Sequence, residues 1–403
     1  LQGTLDIPVH VTLRGDWKRP TETDRTVAGT VLLIDHGAGT TGYSDMANVG
    51  FILRDFAGLR DLSIYYPGQL LSNPSTPVQY PYTVDAIGEF ACVRNVTMVN
   101  SYEAIYYGLH ATQGSSSFPT AISVYGAPIR RGIVTDSTAS TPRFQNIQFM
   151  PEFWAESGLG SVSVADVTTA MRAENGIGFR VGKGGGGAVY LGLKLSGYDV
   201  GLQTFADQSP RMFDFVITNC QVGLNFPFAK DHGWVITKGL IDAEEFAVQT
   251  GDDAAHLAFN NVTFSSDAGI IHHTAGTMTF QSCTFQSWGS TDYAIDSGGF
   301  NGLSPTFYLS VVGCDFIQAG NHIRIGSDVQ KALVYANTPM GTALDLQNNA
   351  GTGANFVIDT TSTHEFAELD PVDSVEDLLT VHRQVPTPLA GNSHVFDVYA
   401  YNA

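Results

Sequence analysis

Short segments in which apolar and polar residues alternate recur along the chain. Residues 261–264 (NVTF) and 282–285 (SCTF) are two of them. Alternation of this kind is typical of a β-strand with one buried and one solvated side. Gly, Asn, Asp or Ser follows each segment within a few residues, and these residue types favour turns. Related segments occur at 61–64, 95–98, 146–149, 219–222 and 313–316.

The spacing of these segments predicts a solenoid. Their second positions are residues 62, 96, 147, 220, 262, 283 and 314, so the successive differences are 34, 51, 73, 42, 21 and 31. Several differences fit one, two or three turns of a coil of roughly 21–25 residues, and the others require longer loops. A period this short leaves little room for helical crossovers between parallel strands. We therefore predict an all-β chain folded as a parallel β-helix, in which successive coils stack strand on strand.

Three of the four cysteines fall on the repeated second position. Cys220, Cys283 and Cys314 occur where other segments have Leu62 or Val262. This pattern predicts small core residues stacked inside the coil. The alternative is a disulfide or a metal site, because the number of cysteines is even.

The C-terminal part of the chain differs from the repetitive middle. Asp373 resembles a helix cap in front of a helical pattern that runs from Val375 to His382. A solenoid needs its open end covered. We therefore expect residues 1–359 to form the β-helix, with long loops in its first half, and residues 360–403 to form a C-terminal cap.

The composition restricts the partners of the protein. There are 39 Asp and Glu residues against 20 Lys and Arg residues, which gives a net charge of −19. Such a surface disfavours nucleic acid and also disfavours a polyanionic substrate. No run of about 18 apolar residues predicts a membrane span. The chain opens without a signal-peptide pattern, which fits a mature chain that has lost an upstream segment, and we expect a secreted protein.

Four further segments support a resemblance to a known group of proteins. They are residues 62–69, 80–84, 124–133 and 145–149. On these segments the chain resembles the pectate-lyase-like superfamily of right-handed parallel β-helices, and more closely the bacterial proteins related to glycoside hydrolase family 28. The resemblance covers most of residues 1–340 and implies a glycan-binding groove on the outside of the coil. Hydrolases, lyases, epimerases and phage tailspikes share this fold, so the fold does not select an activity.

Aromatic residues are frequent in the long loops expected between residues 65 and 215. Aromatic rings stack on sugar rings and bury their C–H surface. A single tyrosine in such a loop more often packs the loop onto the coil. Trp154 lies between two acidic residues, Glu152 and Glu156. We expect Trp154 to bind sugar, together with Glu152, Tyr82 and Tyr107.

Glycoside hydrolysis requires two carboxylates, one as acid and one as base or nucleophile. In one placement Asp231 stacks one coil before Asp252 and Asp253, since 252 − 231 = 21, and His272 follows about one coil later. In a second placement the pair is Glu244 and Glu245. Neighbouring carboxylates on a packed face repel, which raises the pKa of one of them, as a general acid requires. A solvated turn is the alternative interpretation of Asp252 and Asp253.

Both placements depart from the polygalacturonase pattern that the resemblance implies. No Asn-Thr-Asp precedes Asp231, and no Gly-His-Gly follows either pair. A hydrolase acting on a neutral or weakly charged glycan is therefore favoured over a polygalacturonase.

A lyase would use a basic residue to remove the proton next to a uronate carboxylate. Arg130 and Arg131 are the best basic cluster, although two adjacent arginines also pair with surface carboxylates. No zinc spacing stands out, and we predict neither a metal nor another cofactor. The sequence thus predicts a secreted glycoside hydrolase that acts on a polysaccharide or oligosaccharide. A polysaccharide lyase and a non-catalytic tailspike-type module, which would form a homotrimer, are the alternatives.

Overall fold

The computed structural model confirms the predicted fold class, because the chain coils into a right-handed parallel β-helix. The expected C-terminal cap, residues 360–403, lies outside the described residues. The structure describes residues 1–41, 48–110, 114–136, 141–182, 187–205, 209–227, 233–251, 255–274, 276–298, 307–327, 329–340, 343–349 and 355–358.

The regular elements of these residues are short strands and two helices. The helices are α1 (Glu152–Ala155) and α2 (Val164–Ala173). The strands are β1 (Leu5–Ile7), β2 (Thr12–Arg14), β3 (Val31–Leu33), β4 (Phe51–Leu53), β5 (Gly58–Tyr65), β6 (Tyr82–Ala86), β7 (Cys92–Met98), β8 (Glu103–His110), β9 (Gly114–Ser115), β10 (Thr120–Gly126), β11 (Arg131–Asp136), β12 (Arg143–Phe149), β13 (Ile177–Val181), β14 (Val189–Leu191), β15 (Lys194–Ser196), β16 (Val200–Thr204), β17 (Arg211–Phe226), β18 (Trp234–Thr250), β19 (Ala255–Ser266), β20 (Ile271–His273), β21 (Gly276–Gln281), β22 (Thr284–Ser287), β23 (Ile295–Ser297), β24 (Phe307–Val312), β25 (Asp315–Phe316), β26 (Ile323–Ile325), β27 (Lys331–Tyr335), β28 (Thr338–Pro339), β29 (Leu346–Asn348) and β30 (Asn355–Ile358).

The coil has three faces, each a stack of parallel strands. Face 1 contains β1, β4, β6, β8, β11, β13, β16, the ends of β17 and β18, β20, β23, β26 and β29. Face 2 starts with β2 and the first residues of β5, and ends with β27 and β30. Face 3 starts with β3 and the last residues of β5, and ends with β25 and β28. Strands β17 and β18 are long because each continues across all three faces.

A residue in the left-handed region marks the corner between face 2 and face 3 on every described rung. The backbone φ angles at this corner lie between 50° and 91°. Glycine and, among other residues, asparagine and aspartate tolerate this conformation best, because their side chains are absent or short and polar. This explains why the repeated segments of the sequence begin with Asn, Asp, Ser or Gly. The corner residues are Gly29, Asp61, Asn95, Ser123, Asn146, Gly192, Asp214, Lys238, Asn261, Ser282, Gly313 and Ala336.

On most rungs the residue after the corner points into the core and stacks on its equivalent in the next rung. This column includes Leu62, Val96, Val262, Cys283 and Cys314, all buried. The predictions that Cys283 and Cys314 are stacked core residues are therefore confirmed, and both thiols are free.

The predicted position of Cys220 is wrong, although the residue is buried and its thiol is free. Cys220 pairs with Ala243 at the corner between face 3 and face 1, not with the column that contains Leu62. The error has a physical cause. Asn219 also adopts a left-handed conformation, with φ 52°, so a second corner carries the same sequence signal as the first.

The longest insertion in the coil contains α1 and α2, which the strand pattern did not predict. It leaves face 3 after Phe149 and re-enters face 1 at Ile177. Helix α2 begins with a capping box in which Ser163 and Asp166 bond each other's backbone N–H groups. The insertion therefore places a helix beside the edge of face 1.

The N-terminal segment between β2 and β3 covers the outer side of face 3. Trp17 Nε1 donates to Thr97 Oγ1 at 2.9 Å, and Arg19 Nε donates to Tyr125 OH at 3.0 Å. Further along, Lys194 Nζ pairs with Glu22 at 2.7 Å. Face 3 is thus covered along these rungs. On face 1 the outward side chains of Asp85, Tyr106 and Val134 are buried as well, and the outward row becomes half-buried only from Arg180 onward.

The corner conformation makes a prediction about stability. Ala336 has φ 58°, a conformation that costs an alanine about 1 kcal/mol relative to glycine. We expect Ala336→Gly to raise the free energy of unfolding, measured in urea, by about that amount. Ala165→Gly, at an exposed position of α2, is the control and should lower it by about 1 kcal/mol. A destabilised Ala336→Gly variant would contradict the role assigned to the corner.

Candidate functional site

Face 1 presents a continuous row of polar side chains on its outer side. On seven of the eight strands the neighbouring residues are buried while the residue between them is half-buried, as with Ile271, His272 and His273. On β29 the central residue, Gln347, is exposed. At a spacing of about 4.8 Å per strand, the eight residues of this row extend over roughly 34 Å. We call this row the polar column. It consists of Arg180, Gln203, Asn225, Gln249, His272, Asp296, Arg324 and Gln347.

Partly buried amides and charged groups in such a row are donors and acceptors held in fixed positions by the stacked strands. Two aromatic rings lie beside them: Phe246 is 5.2 Å from the ring of His272, and Tyr293 lies under the guanidinium of Arg324 at 5.2 Å. Aromatic faces together with ordered polar groups are the features that bind sugar rings. The column can therefore bind an extended, hydroxyl-rich polymer.

Charge along the far end of the polar column is largely neutralised. Arg324 binds both carboxylate oxygens of Asp296, with Nε 2.7 Å from Oδ1. Tyr293 OH donates to Gln347 Oε1 at 2.8 Å. Because these ionic groups satisfy each other, this end provides no free positive charge for an anionic polymer.

Two carboxylates lie at the edge of face 1, beside the middle of the polar column. Asp199 immediately precedes Val200, the first residue of β16, and Glu245 immediately precedes Phe246 in β18. Val200 pairs with Val222 on the next rung, and Val222 pairs with Phe246 on the rung after that. The two residues are therefore two rungs apart, about 10 Å along the coil. Burial raises the pKa of the Asp199 carboxyl, and the negative charge of Glu245 raises it further. Glu245 itself is exposed.

Two arginines act on Asp199 in the opposite direction. Arg172, from α2, and Arg131, from β11, both lower the pKa of Asp199, but less than burial and Glu245 raise it. Arg172 Nη2 is held by Glu244 Oε1 at 2.5 Å and by the carbonyl oxygen of Asn219 at 3.1 Å. Glu244 thus serves to hold Arg172, whereas Glu245 remains open to solvent. We call Asp199, Glu245, Glu244, Arg172 and Arg131 the edge cluster.

Arg130 and Arg131, the basic cluster predicted from the sequence, have different partners. Arg130 forms an ion pair with Glu103 at 3.2 Å and lies over the ring of Tyr102, which matches the alternative that it pairs with a carboxylate. Arg131 donates to the carbonyl oxygens of Arg130 and Asn175 at 2.7 and 2.8 Å. Burial lowers the pKa of Arg131, and the charge of Arg130 lowers it further.

Three of the predicted catalytic carboxylates do not belong to the described part of the chain. Asp231, Asp252 and Asp253 lie outside the described residues. Of the predicted catalytic carboxylates, the structure describes Glu244 and Glu245, which lie together in the edge cluster.

The predicted sugar-binding aromatic residues are buried, which conflicts with their expected role. Trp154 belongs to the core and is 1% exposed, so no sugar ring can stack on its face. One carboxylate oxygen of Glu152 is likewise buried. Tyr107 points inward and donates to the carbonyl oxygen of Thr120. Trp154 is buried because helix α1 packs it against the coil. Its neighbours in the sequence, Glu152 and Glu156, do not predict this packing.

Tyr82 and His272 do lie on the outer side of face 1. Tyr82 is buried in a small cluster with Tyr106 and Val134, and burial raises its pKa well above the usual range. His272 belongs to the polar column, four rungs from Arg180, and burial lowers its pKa. Neither residue contacts the other, because they are on distant rungs of the same face.

The sequence did not single out Asp199 or Arg172. Asp199 has no motif around it. Its pKa is raised by burial and by the charge of Glu245, which the coil places two rungs away. Arg172 lies on α2, and the pattern Ser163-x-x-Asp166 that caps this helix is a signal that could have revealed it. In the described part of the chain, no three His, Cys, Asp or Glu side chains come together as a metal site requires. None of the described helices is long and apolar enough to cross a membrane.

No protein-family model matches the chain, and searches of curated proteins and of solved structures found no match. The resemblance to the pectate-lyase-like superfamily therefore stays a prediction, while the fold that it implied is present.

The electrostatics of the edge cluster can be tested by titration. We expect the pKa of Asp199, followed by NMR of its side-chain carbon, to lie above that of an exposed aspartate. Glu245→Gln should lower this pKa, because it removes a negative charge that disfavours ionisation of Asp199. Glu89→Gln, at an exposed position outside the cluster, is the control and should leave it unchanged. A pKa of Asp199 that does not respond to Glu245→Gln would contradict the coupling.

Proposed function

We propose that the protein is a secreted glycoside hydrolase that cleaves an extended glycan lying along the polar column of face 1. The observation that carries this proposal is the pair of carboxylates at the edge of that column. Asp199 has a raised pKa, and Glu245 is exposed and lies two rungs away. Two carboxylates with different environments are the requirement of glycoside hydrolysis.

In this proposal Asp199 is the general acid. A raised pKa keeps its carboxyl protonated closer to neutral pH, so that it can give its proton to the leaving oxygen of the glycosidic bond. Glu245 is the base that activates water, or the nucleophile that attacks the anomeric carbon. Arg172 and Arg131 limit the rise in the pKa of Asp199, because their positive charges favour the carboxylate form.

The substrate class follows from the charge distribution. Arg324 is neutralised by Asp296, and the chain as a whole carries a net charge of −19. A neutral or weakly charged polysaccharide or oligosaccharide avoids the repulsion that a polyanion would meet. The amides of Gln203, Asn225 and Gln249 would then bind sugar hydroxyl groups along the column.

A polysaccharide lyase is the second candidate, favoured by one observation. The pKa of Arg131 is lowered by burial and by Arg130, and a guanidinium must lose a proton more readily to act as a base. In β-elimination Arg131 would remove the proton next to a uronate carboxylate, and the glycosidic C–O bond would break to leave a carbon–carbon double bond.

The deciding experiment is a product assay on a panel of neutral and uronate-containing polysaccharides. New reducing ends and ultraviolet absorbance from a carbon–carbon double bond are read together. We expect reducing ends without absorbance, and a loss of activity of at least about 100-fold in Asp199→Asn and in Glu245→Gln. Glu89→Gln is the matched control and should retain full activity.

Two results would overturn the hydrolase proposal. Absorbance that survives in Asp199→Asn but disappears in Arg131→Lys would identify a lyase. Absence of product from every polymer, together with binding to one of them, would leave a non-catalytic glycan-binding module.

A further inference from the structure

A short pattern repeats on three successive rungs near the N-terminus, at the corner between face 1 and face 2. Residues 10–14 (HVTLR), 56–60 (FAGLR) and 90–94 (FACVR) each begin with an aromatic residue and end with an arginine. The strands are in register, so that Arg14 pairs with Arg60, and Arg60 pairs with Arg94. The pattern therefore forms columns that run along the coil axis.

The first column is a ladder of stacked aromatic rings. The ring centroids of His10 and Phe56 are 4.9 Å apart, those of Phe56 and Phe90 4.9 Å, and those of Phe90 and Phe118 4.6 Å. The phenylalanine residues are 40% to 48% exposed, and Val9 and Val11 beside His10 are exposed as well. We call these six residues the aromatic ridge.

The turn itself does not require these aromatic residues. His10, Phe56, Phe90 and Phe118 all have positive φ, between 54° and 63°, where glycine or asparagine fits with less strain. A bulky side chain is strained in this conformation, and stacking of the rings compensates for the strain but leaves the ring edges in water. Exposed apolar rows of this kind mark interaction surfaces.

The shape of the ridge argues against a sugar as its ligand. A sugar stacks on the face of a ring, but here the faces of the inner rings are covered by their neighbours. The open surface is a row of ring edges, which suits a second flat apolar surface. The ridge is also on a different edge of face 1 from the edge cluster, so it is separate from the proposed active site.

Opposite charges flank the ridge on its two sides. Asp55 and Glu89 immediately precede Phe56 and Phe90 and are exposed, and the Glu89 backbone N–H fixes Asp55 by donating to Oδ1 at 2.8 Å. On the other side the three stacked arginines lie on face 2. Arg14 and Arg60 share one carboxylate, Asp61, so two positive charges are neutralised by one negative charge. The arginine side retains a net positive charge in a strongly acidic protein.

We propose that the aromatic ridge binds a second copy of this chain, with the two coil axes parallel. A rotation about an axis parallel to the coil axis places the carboxylates of one copy opposite the arginines of the other. A rotation that makes the axes antiparallel would place carboxylate against carboxylate. A two-fold and a three-fold axis parallel to the coil give the same pairing, so a dimer and a trimer both satisfy it.

The first test is the molar mass in solution. We expect the wild-type chain to associate into dimers or trimers by sedimentation equilibrium, over concentrations up to about 100 μM, because a ridge this small supports weak association. The double variant Phe56→Asn with Phe90→Asn should be monomeric throughout. Asparagine tolerates the left-handed conformation, so the fold should remain, as circular dichroism can verify.

A matched control separates the ridge from apolar surface in general. Leu70 and Ile317 are exposed apolar residues elsewhere on the chain. The double variant Leu70→Asn with Ile317→Asn should associate like the wild type. A monomeric wild type, or association that persists in the Phe56→Asn, Phe90→Asn variant, would overturn the proposal.

The second test uses the charges at the two sides of the ridge. Glu89→Arg and Arg94→Glu should each weaken association about tenfold, because each places like charges opposite each other at both symmetric contacts. The double variant with both substitutions restores opposite charges and should associate almost as strongly as the wild type. If the double variant is weaker than either single variant, the parallel arrangement is wrong. These readouts do not depend on any enzymatic activity.

Discussion

A left-handed corner between face 2 and face 3 controls the rest of this structure. L-residues adopt this conformation at a cost of about 1–2 kcal/mol, so it is reserved for positions where the chain must bend sharply. Each described rung has one such corner, and on most rungs the residue after it points into the core, as Val262 and Cys283 do. The corner therefore fixes the register of every strand, and register determines which side chains of face 1 form the polar column. Most insertions, such as the one that carries α1 and α2, lie at other places on the coil, and the segment between β2 and β3 that does interrupt this corner still ends in a left-handed residue, Gly29.

Much of the fold could be predicted from the sequence, because alternation and corner residues are local signals. The segments that begin with Asn95, Asn146 and Asn261 mark the corner correctly. Asn219 misled the prediction because a second corner of the same rung also bends through the left-handed region. The helices of the insertion were missed because a pattern with period two does not detect a helix, although Ser163 and Asp166 carried a capping signal.

The candidate site was predictable only in part. Glu244 and Glu245 were identified as an acidic pair, but the structure gives them different roles, since Arg172 holds Glu244 and leaves Glu245 exposed. Asp199 was not identified, because its raised pKa comes from burial and from a charge that the coil brings near it over 46 residues of sequence (245 − 199 = 46). For Trp154 the prediction was wrong in the other direction. Its acidic neighbours indicated a sugar-binding residue, but the packing of helix α1 buries it.

The regular spacing of the coil gives the protein two long and separate edges of face 1. One edge carries the carboxylates beside the polar column, and the other carries the aromatic ridge near the N-terminal end. The most direct test of the proposed glycan site is a crystal structure of the Asp199→Asn variant with a bound oligosaccharide. The account predicts sugar rings along the polar column between Gln203 and Gln249, with a glycosidic oxygen within about 3 Å of the side chain of residue 199. Sugar bound only on another face would contradict it.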